Sequence, residues 1–404
     1  MIEIEERLDD LRDRGLYRRL RIVSGPQGPR VVLDGTPVLL LCSNNYLGLA
    51  DHPRVREAAA DAAMRFGVGA GSSRLVSGTM RIHDKLERRL AAFKGSQAAL
   101  LFGSGYMANV GVVSALAGEG DVVFSDELNH ASIIDGCRLS RAETFVYRHS
   151  DPEHLAWGLR QAGDRAALIV TDSVFSMDGD VAPLPELADL AREHGVRLAV
   201  DEAHGVGCVG PGGRGAVHEA GVEGEVDVVI GTLGKALGSY GAYVTCSDEL
   251  AQFLVNTSRP FIFSTAPPPP AVAGALAALE LLAEEPRRVE QLAANAEALR
   301  DELAREGFDV SGSTTQIVPL VIGEAEQAMR ICELAIERGV FAQAIRPPTV
   351  AQGTSRLRLA VMATHDRDEL REAARVLGRA ALQAGFRPGA GMPVAAARVR
   401  ADAA

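Results

Sequence analysis

The sequence predicts an α/β protein: a large domain on a mostly parallel seven-stranded sheet, followed by a smaller C-terminal α+β domain. Three observations carry that expectation: short apolar, β-branched runs, helical-period stretches between them, and a change of texture after the proline run at 267–270. Continuously apolar runs mark strands covered on both faces, and strand–helix alternation is what a parallel sheet requires.

Taken in order, residues 1–45 read as an N-terminal arm with a charged helix, "MIEIEERLDDLRDRG". Residues 46–270 hold the sheet, with strands expected at 98–102, 121–125, 143–147, 166–171, 197–201, 226–231 and 242–245. Helical patterns lie between them or ahead of them, at 83–93, 133–141, 152–161 and 184–194. Residues 271–385 carry Ala/Leu/Glu-rich helices at 271–284, 289–305 and 324–338, with short strands at 317–321 and 357–361. The remainder, 386–404, is Ala/Arg/Gly-rich without an apolar stripe and is expected to be a flexible tail.

Composition narrows the function. A net charge of −11 over 404 residues disfavours general nucleic-acid binding. No apolar run approaches the roughly 20 residues that span a bilayer. The N-terminus lacks the apolar core of a secretory signal, so a cytoplasmic protein with no membrane partner is expected. The cysteines Cys42, Cys137, Cys208, Cys246 and Cys332 are scattered and odd in number, a pattern of reduced thiols. No metal is expected.

Candidate chemistry concentrates where strands end, since ligands of open parallel sheets bind beyond the strands' carboxyl ends. "RLAVDEAHGVG" places Asp201 there, with His204 three residues on. "ALIVTDSVFSMDGD" places Asp172, Ser173 and Ser176, and "DVVFSDELNHASI" places Asp126, Asn129 and His130. "VDVVIGTLGK" delivers Thr232 and Lys235. Singly, such an aspartate reads equally as a helix cap, such a histidine as a structural residue, and Lys235 as a solvated turn lysine. "LLFGSGYMAN" adds Gly103 and Gly105 between a strand and a helical pattern, which suits a phosphate or a plain tight turn. It is no Rossmann fingerprint, because the third glycine is missing, and Lys235 is no P-loop lysine, because Ala236 stands where Ser or Thr is required. Taken together, a lysine, a carboxylate, a histidine and a phosphate cradle at one sheet edge meet the demands of pyridoxal 5'-phosphate. Lysine forms the Schiff base, the carboxylate pairs with the pyridinium nitrogen, and loop and hydroxyls grip the phosphate.

The motifs "SNNYLGLA", "SRLVSGTMRIHDKLE", "VFSMDGD", "VDEAHGVG", "GTLGKALGS" and "RPFIFSTAPPP" resemble, in order and spacing, those of the α-oxoamine synthases. These are fold-type-I enzymes that use pyridoxal phosphate to condense an amino acid with an acyl thioester, releasing CO2. The resemblance runs from about residue 10 to 384. It implies Lys235 as the Schiff-base lysine, Asp201 at the pyridinium nitrogen, and His204 at the ring's phenolic oxygen. It also implies backbone donors at Gly105 and Tyr106, hydroxyls from Ser176 and Thr232, and His130 stacked on the ring. Thr265 would reach the phosphate in a neighbouring subunit, so a homodimer with shared active sites is implied. Asn44 and Arg358 would hold the amino acid's carboxylate, with His130 near the reacting substrate, and Arg18, Arg346 and Thr349 would face the acyl group.

"GLYRRLR" and "IRPPTV" point within the family to a member that joins L-alanine to a pimeloyl thioester on the way to biotin. The thiol carrier, coenzyme A or acyl carrier protein, is open, and the basic cluster Arg18, Arg19 and Arg21 suits either. The alternatives are glycine C-acetyltransferase, another α-oxoamine synthase, or a silent subunit of this fold. The family departures are "SNNY" for "SNDY" and "TAPPPP" for "TSMPPA".

Overall fold

The computed structural model describes residues 3–389. Of the tail expected at 386–404, residues 390–404 lie outside the described residues. The chain divides into two compact units: Asn44–Ser176 with Asp180–Leu292, and Met1–Ser43 with Met177–Gly179 and Ala293–Ala404.

The larger unit is built on seven strands: β1 (Ala98–Phe102), β2 (Val122–Asp126), β3 (Glu143–Tyr147), β4 (Ala166–Asp172), β5 (Arg197–Asp201), β6 (Val228–Thr232) and β7 (Ala242–Cys246). Their order across the sheet is β1-β7-β6-β5-β4-β2-β3. From β3 to β6 all neighbours are parallel. β7 runs antiparallel to both β6 and β1. The loop 233–241 between β6 and β7 is too short for a crossover, which needs a dozen or more residues, so the chain must turn straight back. Alternation along β4 shows why its run is unbroken in the sequence. Leu168 and Val170 enter one core cluster with Val112, Val113 and Ile230, while Ile169 enters another with Leu187, Leu198 and Val200. Both faces are covered, as the apolar pattern predicts.

The helix Pro269–Glu284 packs against Pro53–Phe66 and belongs to this larger unit. Its residues Val272, Ala275, Ala278, Leu281 and Leu282 are all fully buried, the mark of a helix that is apolar on every side. The division between the units falls within the next helix, Arg287–Arg305.

The smaller unit has a three-stranded antiparallel sheet, Ile317–Gly323, Ser355–Ala360 and Gln343–Ile345 in that order, with the helix Ala325–Ile336 packed on it. A second sheet joins Val23–Ser24, Arg30–Leu33, Thr36–Leu40 and Val340–Phe341. These N-terminal strands interrupt what reads from sequence as an arm. A two-residue turn joins two of them, and both of its members, Asp34 (φ 48°) and Gly35 (φ 86°), take the left-handed backbone that such hairpins require.

Candidate active site

Lys235 sits on the loop joining β6 to β7, where Leu233 N donates to Gly241 O and Ser239 N to Leu233 O. Gly238 N closes a turn on Lys235 O at 2.9 Å. Gly238 has φ +59°, and a Cβ there would lie 2.3 Å from Ala50 N, so only glycine completes this turn. The lysine is half-buried, with Nζ 2.8 Å from His204 Nε2.

His204 comes from the turn after β5. Glu202 N donates to Ile230 O, and Ala203 N donates at 2.7 Å to Asp201 Oδ1. His204 is buried, and its Nδ1 lies 2.6 Å from the hydroxyl of Tyr46, itself 3.0 Å from Asn44 Oδ1. Tyr46 has one proton to give. With that proton on Asn44, His204 Nδ1–H donates to the phenol oxygen, which leaves Nε2 as an acceptor facing Lys235. Tyr46 lies in a stretch quoted from the sequence, yet sequence reasoning gave it no part. Replacing Tyr46 with Phe is expected to cost about 1–3 kcal/mol by stranding buried His204 Nδ1, measured by denaturant unfolding. An unchanged midpoint would contradict this hydrogen-bonded chain.

Asp201 is buried at the end of β5, and its second oxygen accepts from Asn109 Nδ2 at 2.6 Å. Asn109 also donates to Ser132 Oγ at 2.8 Å, and that hydroxyl is 2.7 Å from His130 Nδ1. One amide thereby ties Asp201 to the helix Ala131–Ser140, whose N-cap is His130. Asp172 is the register partner of Asp201 on the neighbouring strand and accepts from His130 N at 2.7 Å. Burial, and then the charge of Asp201, pushes the Asp172 pKa well above the ordinary aspartate range.

Gly105 and Tyr106 open the helix Gly105–Leu116. Its N-cap Ser104 accepts from Met107 N, and the first intrahelical bond is Ala108 N to Ser104 O. The helix itself leaves the N–H groups of Gly105 and Tyr106 as donors for an anion. The Tyr106 hydroxyl is already engaged, donating to Asp135. Thr232 ends β6, donating to Gly241 O and accepting from Gly234 N, both at 3.2 Å. Ser176 is half-buried in the turn after β4, and exposed Thr265 bridges Ser73. All these residues, with Asn44, belong to the larger unit.

The donor set of this unit fits pyridoxal phosphate: an amine, a buried carboxylate held from two sides, and helix-start N–H groups. Beside them, a Cβ at Gly105 would meet nothing within 4 Å.

Arg18, Arg346, Thr349 and Arg358 belong to the smaller unit. Arg346 gives its guanidinium to the carbonyls of Gly15 and Tyr17, and Arg18 reaches Pro347 O at 3.5 Å. Thr349 N donates to Arg346 O at 3.2 Å. Arg356 and Arg358 share a strand face by sequence, and both are buried on the central strand of the three-stranded sheet. Arg356 pairs with Asp178 at 2.5 Å and donates to Met177 O.

Comparison with known proteins identifies the family. A family model described as aminotransferase class I and II matches residues 36–377. The chain is 54% identical to an 8-amino-7-oxononanoate synthase of Citrifermentans bemidjiense, over 92% of this chain and 96% of that one. It is 56% identical to one of Anaeromyxobacter dehalogenans, over 89% and 90%. Among solved structures, a serine palmitoyltransferase from S. paucimobilis carrying a PLP–myriocin aldimine superposes with a TM-score of 0.90 at 33% identity, covering 95% of this chain and 97% of that one. An 8-amino-7-oxononanoate synthase from Francisella tularensis gives 0.74 at 26%, covering 86% and 99%. The chain belongs to the class I and II aminotransferase family, on its α-oxoamine synthase branch.

Proposed function

We propose that this enzyme uses pyridoxal phosphate to condense L-alanine with a pimeloyl thioester, giving 8-amino-7-oxononanoate, CO2 and the free thiol in biotin biosynthesis. The observation that carries this reading is the agreement of relatives at about half identity over nine-tenths of the chain, all of one named activity.

The bound cofactor would supply an electron sink for the α-carbon; the protein supplies the rest. Asp201, held by Asn109 and Ala203 N, would present its carboxylate to the ring nitrogen and keep that nitrogen protonated. Gly105 N, Tyr106 N and the Thr232 hydroxyl would hold the phosphate, and Ser176 and His204 would hold ring substituents. Lys235 Nζ would be the amine that anchors the cofactor, and it is the group that would take the α-proton as general base. The alanine α-carbon then bonds to the thioester carbonyl carbon as the C–S bond breaks. The carboxylate leaves as CO2, and Lys235 returns a proton to the same carbon. His130 would pack over the ring, and Arg358 would take the amino acid's carboxylate. Exposed Thr265 serves a neighbouring copy in a homodimer, and the enzyme works in the cytoplasm. No described helix is long and apolar enough to cross a membrane.

The backbone likeness to serine palmitoyltransferases makes serine with a long-chain thioester the second reading. The test offers L-alanine, glycine or serine with pimeloyl, acetyl or palmitoyl thioesters, on coenzyme A and on acyl carrier protein, and identifies products by mass. Alanine with the pimeloyl donor is expected to dominate; a preference for serine with palmitoyl, or glycine with acetyl, would overturn the proposal.

A further inference from the structure

His149, just beyond β3, lies between two carboxylates. Its Nδ1 is 3.0 Å from Asp126 Oδ1, and its Nε2 is 2.7 Å from Asp180 Oδ2. A neutral imidazole has one donor nitrogen and one acceptor, and an acceptor would face a carboxylate with its lone pair. Both nitrogens must therefore donate, and His149 is an imidazolium. Its ring also stands edge-on to Phe175, with centroids 4.4 Å apart. Desolvation lowers its pKa, but the hydrogen bonds and charges of Asp126 and Asp180 outweigh it and push it up to about 10. Glu127, the other charged group here, accepts from His149 N.

What those carboxylates hold gives the contact its meaning. Asp126 ends β2 and accepts from Leu128 N and Ser150 N, each at 2.9 Å, while its carbonyl accepts from Asn129 N. It shapes the turn that delivers His130. Asp180 closes the turn after β4, where its carbonyl accepts from Phe175 N and Val174 bridges Val181. That turn carries Ser176. The two turns leave different strands of the sheet, and the imidazolium joins them.

We infer that His149 is a positioning residue, an imidazolium whose two charge-assisted hydrogen bonds clamp the Asp126 turn to the Asp180 turn and so fix His130 and Ser176. The inference rests on the proposed roles of His130 and Ser176 at the cofactor.

The test compares wild type with His149→Gln and with His149→Gln/Asp180→Asn. Four quantities are read: apo-protein affinity for pyridoxal phosphate by equilibrium dialysis, absorbance of the bound cofactor, unfolding midpoint, and kcat and KM for L-alanine. His149→Gln is expected to weaken cofactor affinity about tenfold, the scale of a lost charge-assisted hydrogen bond, with a shifted absorbance and a lower kcat. The double variant, which also removes the half-buried Asp180 charge left facing a neutral amide, regains part of that loss. Should His149→Gln fail to fold, Asp180→Asn alone removes one arm and carries the same expectation at smaller size. A His149→Gln protein with a lower midpoint but wild-type affinity, absorbance and kcat overturns the inference. His130→Ala and Ser176→Ala separate the two failures. If they leave cofactor affinity untouched, the site reading is wrong; if they weaken it while His149→Gln does not, the clamp is wrong.

Discussion

Lys235→Ala is expected to fold as the wild type does and to lose turnover by about 10⁴-fold, the upper range for removing a positioned proton-transfer group. The loop geometry explains why folding survives. The turn is made by backbone bonds to Lys235 O, Leu233 and Gly241, none of which needs the side chain. The proposed chemistry does need it, because in that mechanism the lysine both anchors the cofactor and moves the α-proton. Lys235→Arg is expected to be nearly as inactive, since a guanidinium stays protonated at working pH and cannot act as a base. Steady-state kinetics with L-alanine and the pimeloyl donor measures this. An alanine variant retaining a tenth of wild-type turnover would remove Lys235 from the mechanism.

Lys94→Met is the second large effect, on stability. Lys94 and Glu202 form an ion pair with both side chains essentially inaccessible to water. Lys94 Nζ also donates to Arg214 O, and the other oxygen of Glu202 accepts from Val217 N at 2.7 Å. A buried pair contributes little net stability, but removing one partner leaves the other charge stranded, at a cost of about 3–5 kcal/mol. Denaturant unfolding of Lys94→Met should show a loss of that size. The double variant Lys94→Met/Glu202→Gln should recover most of it, because a neutral amide still accepts from Val217 N. A single variant within experimental error of wild type, or a double variant worse than the single, would contradict this reading.

Some of this site is legible in the sequence, for physical reasons that differ by residue. Asp201, Thr232 and Lys235 end or follow apolar runs, so strand period and a turn signal suffice to place them at one sheet edge. His204 follows by its three-residue offset from Asp201. Tyr46, Asn109 and His149 matter through partners far away in the chain: Tyr46 meets His204, and Asn109 meets Asp201. No local pattern encodes such a meeting. Lys94 illustrates the same limit, because a lysine at a helix end reads as a solvated charge on the helix dipole, and only the fold shows Glu202 waiting for it. Period and length place Arg356 and Arg358 on one face alike, and the pairing of Arg356 with Asp178 is another meeting that no local pattern encodes. The N-terminal strands were missed because they are two to five residues long, although the Asp34-Gly35 pair between them is itself a hairpin signal.

The most direct measurement reconstitutes the protein with pyridoxal phosphate, reduces it with borohydride, and maps the modified lysine by peptide mass spectrometry. The expected result is stoichiometric labelling of Lys235 and of no other lysine, lost in Lys235→Ala. Labelling of exposed Lys85, or a Lys235 peptide recovered without the cofactor's mass, would contradict the assignment of this site.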